Sequence, residues 1–208
     1  MALIHRTTLK PTKVELLAAW LPTRPWYHGS AAPELAKAGG FRLDDPEGEV
    51  GIEFMVVTEE SGAYLVPLTY RGAPLDGAGH ALVGTMEHGV LGPRWAYDGC
   101  HDPVLTAGLL ALIEGRTEAQ AQSVTDTPDR EVVRSYAGEG PIPGLGAPVD
   151  TDESTEFAVA GGGLVLRLQR VLTAGSAPSA DAVGHVGGVW GRPDGSRAHG
   201  LFAALQPR

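Results

Sequence analysis

One short span, MEHGVLGPRWAYDGCHDP over residues 86–103, holds most of the side chains in this chain that could do chemistry together: Glu87, His88, Trp95, Tyr97, Cys100, His101 and Asp102. Cys100, His101 and Asp102 can each bind a metal ion when their side chains converge. Three consecutive residues rarely converge on one ion, and the paired Cys-x-x-Cys or His-x-x-x-His spacing is missing. Asp102 followed by Pro103 reads instead as a helix start: the carboxylate accepts orphan backbone N–H groups, and proline needs no N–H at the first helical position. Glu87 and His88 are neighbours on an expected strand, so they point to opposite faces and cannot form an acid–base pair without other partners. His88 then reads as a half-buried, hydrogen-bonded histidine and Glu87 as a solvated residue, with a ligand or interface contact as the functional alternative. Trp95 and Tyr97 share one strand face, as core or subdomain-interface aromatics or, alternatively, as a platform on which a sugar ring stacks.

Elsewhere the sequence offers no strong catalytic signature. The glycines of residues 138–146 fit neither G-x-G-x-x-G nor G-x-x-x-x-G-K-[ST], and no helix clearly follows them. No G-x-S-x-G elbow occurs, and no serine or cysteine sits in a nucleophile motif. The 7 histidines are scattered and the single cysteine cannot form an internal disulfide. No catalytic residue and no metal site are expected.

The elements that must position this span follow from pattern and punctuation. Thr12 and Glu15 make a capping box, and Val14, Leu16, Leu17 and Trp20 give helical spacing until Pro22. Residues 41–43, 50–58 and 63–70 read as consecutive antiparallel strands joined by the turns DDPEG and EESG. Residues 81–90 and 94–97 read as two more strands around a Gly-Pro turn. From 104 to 114, Leu105, Leu109, Leu112 and Ile113 share a helical face, with Gly115 in the C-terminal cap position. Residues 120–136 are polar around a short Val132-Val133 core and read as a pair of edge strands. The run GEGPIPGLGAPVDTDES, 138–154, has no periodicity and reads as a linker or mobile loop. Two hairpins follow, 156–160 with 164–172 and 184–191 with 197–205. The expected fold is α+β: an antiparallel-sheet cap with packed helices over 1–137, the linker 138–154, then a small β-rich unit over 155–208.

Composition bounds the function classes. The 208 residues contain 43% apolar side chains and carry a net charge of −9, which suits a globular protein. No lysine or arginine cluster offers the basic face that nucleic acid or an anionic lipid surface requires, so neither is an expected partner. The N-terminal MALIHRTTLKP lacks a long apolar run and no segment has the length of a membrane span, so a cytoplasmic location is expected.

The phrases HRTTLKPTKVELLAAWLPTRPWY, FRLDDPEGEVGIE, VPLTYRGAPLDGA and GTMEHGVLGPRWAYDGCHDPV occur in that order through the first half of the chain. Together they resemble the N-terminal cap region of actinobacterial maltokinases and related sugar kinases. The resemblance implies a place in maltose, trehalose and glycogen metabolism. It also implies that residues 155–208 correspond to a kinase N-lobe, whose strand resembling LVLRLQRVL would carry a lysine for nucleotide phosphates. Arg167 stands at that position, and TAGSAPSADAVGHVGG, where the family's helix supplies a glutamate, offers only Asp181. Arginine's planar fork does not replace a compact ammonium at a phosphate, so any nucleotide binding at Arg167 would be vestigial. The sequence stops at Arg208, about where the hinge of such a kinase would begin, so the C-lobe with its base and metal-binding residues is expected to be missing. The expectation is a non-catalytic cap-like protein that needs no cofactor and binds another protein, such as a sugar kinase or glucan-metabolising enzyme. A sugar or nucleotide sensor is the alternative, and a kinase completed by another chain, using ATP and Mg²⁺, is the third reading.

Overall fold

The structure is a computed structural model that describes residues 9–124 and 126–208. In chain order its elements are β1 (Leu9–Lys10), α1 (Lys13–Trp20), β2 (Ala36–Leu43), β3 (Gly51–Glu59), β4 (Gly62–Arg71), β5 (Leu82–His88), β6 (Gly92–Asp98), α2 (Pro103–Glu114), β7 (Gln120–Ala121), β8 (Val133–Tyr136), β9 (Leu145–Asp150), β10 (Ser154–Val159), β11 (Leu164–Gln169), β12 (Val171–Leu172), β13 (Gly184–Gly191) and β14 (Arg197–Pro207). Over the described residues the protein is mostly β and α+β in the broad sense, with two short α-helices against one 14-stranded sheet.

Every recorded strand pairing is antiparallel. The order is β1-β5-β6-β4-β3-β2-β13-β14-β11-β10-β9, with β12 on β4, β7 on β2 and β8 on β13. The N-terminal meander and the C-terminal hairpins are therefore continuous, through Trp190 of β13 paired with Gly39 of β2 and through β12 paired with β4.

The central strands read as unbroken apolar runs because both of their faces are covered. In β3, Ile52, Phe54 and Val56 enter a large core with Phe41, Leu109, Ile113, Leu166 and Phe202. The alternate residues Met55 and Val57 enter a second core with Leu17, Trp20, Trp26 and Tyr64. Helix α2 covers the first face and α1 the second.

Both helices begin as their sequences imply. The Thr12 N–H donates to the Glu15 carboxylate (2.7 Å), while the Glu15 N–H donates to the Thr12 hydroxyl (3.2 Å). Helix α2 ends at Gly115, whose φ of 77° is left-handed. There its N–H reaches back to the Leu112 carbonyl at 3.1 Å. A side chain at this φ costs about 1 kcal/mol or more. Gly115→Ala is accordingly expected to lower the urea midpoint by that equivalent without changing the slope, measured by circular dichroism.

Two local expectations change. The run 138–154 contains strand β9, paired with β10 through a register shift between Phe157 and Val159. That irregularity, with Pro148 lacking an N–H, erases the alternation by which a strand is recognised. In the supposed Val132-Val133 core, Val132 packs partly against the main core while Val133 is exposed, because neighbours on an extended segment face opposite ways. Among the described residues no helix is long and apolar enough to cross a membrane.

Candidate functional site

The chemistry-bearing span folds as strand, turn, strand and helix start, and its C-terminal end forms one wall of a cleft of about 590 Å³. His80, His101, Thr106 and Asp76 line the cleft, with Gly144 to Pro148 around the start of β9 as the opposite rim and Phe157 also contributing. Two 3₁₀ turns, Gly79–Ala81 and Gly99–His101, carry the histidines. Nε2 of His80 lies 3.1 Å from Nδ1 of His101, with the rings nearly perpendicular at 87°. Burial pulls the His101 pKa below its ordinary value, and the nearby His80 and Arg170 act in the same direction against the pull of Asp98 and Asp150.

Asp102 caps α2 as its sequence implies, accepting from the Val104 N–H at 3.0 Å, and it does more than cap. Its two oxygens accept from Nε and Nη2 of Arg71, both at 2.7 Å. The side chain is fully buried, which by itself would raise the carboxyl pKa; the hydrogen bonds from Arg71 and from Val104 hold it below the ordinary range. Arg71 ends β4 and Asp102 starts α2, so the bidentate pair fixes the helix at the end of the sheet.

A second buried pair lies behind Cys100. Nη2 of Arg170 donates to both Asp98 oxygens at 2.8 and 2.7 Å, and its Nε donates to the Thr155 hydroxyl at 2.7 Å. The guanidinium sits 4.8 Å from the centroid of the Trp26 ring, a cation–π contact. Asp98 also accepts from the Cys100 N–H, which shapes the turn that presents His101. Burial raises the Cys100 thiol pKa well above its ordinary value, so it stays protonated and is a poor nucleophile.

Across the sheet, Glu53 forms a third buried cluster. Lys13 pairs with it and Lys37 lies 3.7 Å away; Tyr70 and Gln122 donate to its oxygens at 2.7 and 3.0 Å. Burial pushes the carboxyl up, but Lys13, Lys37 and the Tyr70 hydroxyl together hold its pKa below the ordinary value. Glu53 and Asp102 therefore both have folded pKa values below their unfolded ones. Their stabilisation is present above about pH 4.3, the unfolded carboxylate range, and is lost as pH falls through the lower folded values. Urea midpoints are expected to hold between pH 7 and about pH 5 and to drop below about pH 4. Glu53→Gln, which takes up no proton, should show a shallower acid decline.

The other residues singled out in the span separate. Tyr97 is buried and its hydroxyl accepts from the Leu75 N–H at 2.9 Å, pinning the loop that carries Asp76 to the cleft. Trp95 packs beside Tyr97 in a small cluster with Ala78 and Ala81, so both aromatics support the cleft wall from behind. His88 accepts at Nδ1 from the N–H groups of Val90 and Leu91, at 3.3 and 3.0 Å, and closes the β5–β6 turn. Glu87 is exposed and opposite Lys10 of β1. Arg167, half exposed on β11, donates to its cross-strand neighbour Glu156 at 2.8 Å and lines no part of the cleft. Leu166 and Leu168 on its opposite face are buried in the main core, with Leu164 partly so.

Sequence reasoning missed Arg71, Arg170, His80 and the Glu53 cluster. Arg170 carried one usable signal: it continues the alternation of Leu164, Leu166 and Leu168, where a cation needs a buried acid. Among the described residues no three His, Cys, Asp or Glu side chains gather as metal ligands.

Residues 20–102 match the family model of the maltokinase N-terminal cap domain, and the rest of the chain is unassigned. The matched segment starts at the last residue of α1 and ends at the Asp102 cap. Asp98 lies inside the matched segment and its counterion Arg170 outside it. No curated protein matches the sequence.

Proposed function

We propose that this is a non-catalytic cap-like protein, an auxiliary, regulatory or assembly partner in maltose, trehalose and glycogen metabolism that works by binding another protein. A sugar kinase or glucan-metabolising enzyme is the partner class. The cap match over residues 20–102 carries the reading. In it, residues 155–208 are a remnant of a kinase N-lobe, and Arg167 is the vestige of its phosphate-binding position. The ion pair of Arg167 with Glu156 supports a structural use of that side chain. Cytoplasmic location belongs to the same proposal.

The test is affinity capture of the full-length protein from its native host, followed by reconstitution with the captured enzyme. A stable complex with a glucan-acting enzyme or sugar kinase is the expected result; a protein that elutes alone contradicts it. Sustained, metal-dependent phosphoryl transfer from ATP to maltose or glucosamine by the protein alone would overturn the non-catalytic reading.

The cleft favours a second reading, a sensor of a sugar or nucleotide, because its volume falls within the range of small-molecule sites. Calorimetry with ATP, maltose, trehalose and glucosamine decides it. Silence against all four removes the sensor.

A further inference from the structure

We propose that His80 and His101 form a two-imidazole binding site for a divalent late transition-metal ion in the wall of the cleft. This site stands apart from the partner-binding role and does not depend on it.

Spacing is the first argument. Two imidazole nitrogens bound to one ion at 2.0–2.1 Å, with an angle between tetrahedral and right-angled, lie about 2.9–3.4 Å apart. Nε2 of His80 and Nδ1 of His101 are 3.1 Å apart, inside that window. The same spacing lets one neutral ring donate to the other, and an ion would replace the shared proton while keeping the nitrogens in place.

Anchoring is the second. In the turn of His80, the Ala81 N–H reaches the Ala78 carbonyl at 2.9 Å, and in that of His101 the Asp102 N–H reaches the Gly99 carbonyl at 3.0 Å. Cys100 and Tyr97 hold the two supporting loops through Asp98 and Leu75. The backbone that carries each imidazole is thereby fixed, which lowers the ordering cost of a chelating pair.

Charge and ligand type then select the ion. The chain carries a net charge of −9, and Asp76 lines the same cleft. Imidazole suits zinc, copper and nickel, whereas calcium and magnesium take oxygen ligands. With two protein ligands the remaining coordination positions open toward the cleft, where water or a ligand's oxygen completes the shell.

Titration of the full-length protein with NiCl₂, followed by calorimetry, tests the site. One Ni²⁺ per chain is expected. His80→Ala and His101→Ala should each weaken binding roughly tenfold or more, while His199→Ala, at an exposed position of β14, leaves it unchanged. In NMR spectra, substoichiometric paramagnetic Ni²⁺ should broaden the ring signals of His80 and His101 first. Because His80 is exposed, its variant isolates ligation from folding. Equal Ni²⁺ affinity in the His80→Ala variant, or no saturable binding by the unaltered protein, would overturn the proposal.

Discussion

Arg170→Met is expected to destabilise the protein by about 3–5 kcal/mol, the cost of leaving a buried acid without its counterion. Asp98 is 2% exposed and loses both oxygens' shared donor at once, while the Cys100 N–H still donates to it. For a chain of this size that corresponds to a fall in melting temperature of roughly 6–20 °C, measurable by calorimetry. The double variant Asp98→Leu/Arg170→Met should lose much less than the sum of the two singles. A charge pair replaced by apolar groups sheds its desolvation cost, and this pair is incompletely satisfied: Nη1 of Arg170 has no hydrogen-bond partner among the described residues. Additive losses in the double-mutant cycle would refute a direct coupling between the two side chains.

Asp102→Ala carries the second large effect, about 2–4 kcal/mol, because one carboxylate serves two structures. It caps α2, a contribution of about 1 kcal/mol, and it neutralises Arg71 through two short hydrogen bonds. Arg71 retains some solvent contact, which moderates the penalty of leaving it unpaired. Asp102→Asn keeps a good capping side chain and removes the charge, so it should fall between the native protein and the alanine variant in urea unfolding. Equal losses in the two variants would assign the whole effect to the charge. The first two turns of α2 supply Pro103, Thr106 and Ala107 to the cleft, so the alanine variant should also disturb any ligand bound there.

What could be read from the sequence was what neighbours in the chain determine. The Thr12–Glu15 box, the Asp102-Pro103 start and the Gly115 stop rest on contacts within a few residues, and the meander through residues 51–71 on one tight turn between adjacent strands. The resemblance to maltokinase caps was carried by those same local phrases. The buried charges were not legible, because Arg71 meets Asp102 across 31 positions and Arg170 meets Asp98 across 72. Neither spacing leaves a periodic trace. The His80–His101 pair was hidden for the same reason: one partner lies outside the dense span, 21 residues upstream. The Trp190–Gly39 bridge that joins β13 to β2 could not be anticipated from either strand alone.

The placement of Arg170 and β12 has a consequence for how the chain comes to be folded. Strand β4 is made early, yet its partner β12 and the cation for Asp98 are translated about a hundred residues later. Until residue 172 has left the ribosome, the matched segment lacks the counterion of Asp98 and has an open strand edge at Tyr64. Closing such distant contacts is intrinsically slow. The cap is thus a region whose completion is timed by the synthesis of sequence that does not belong to it.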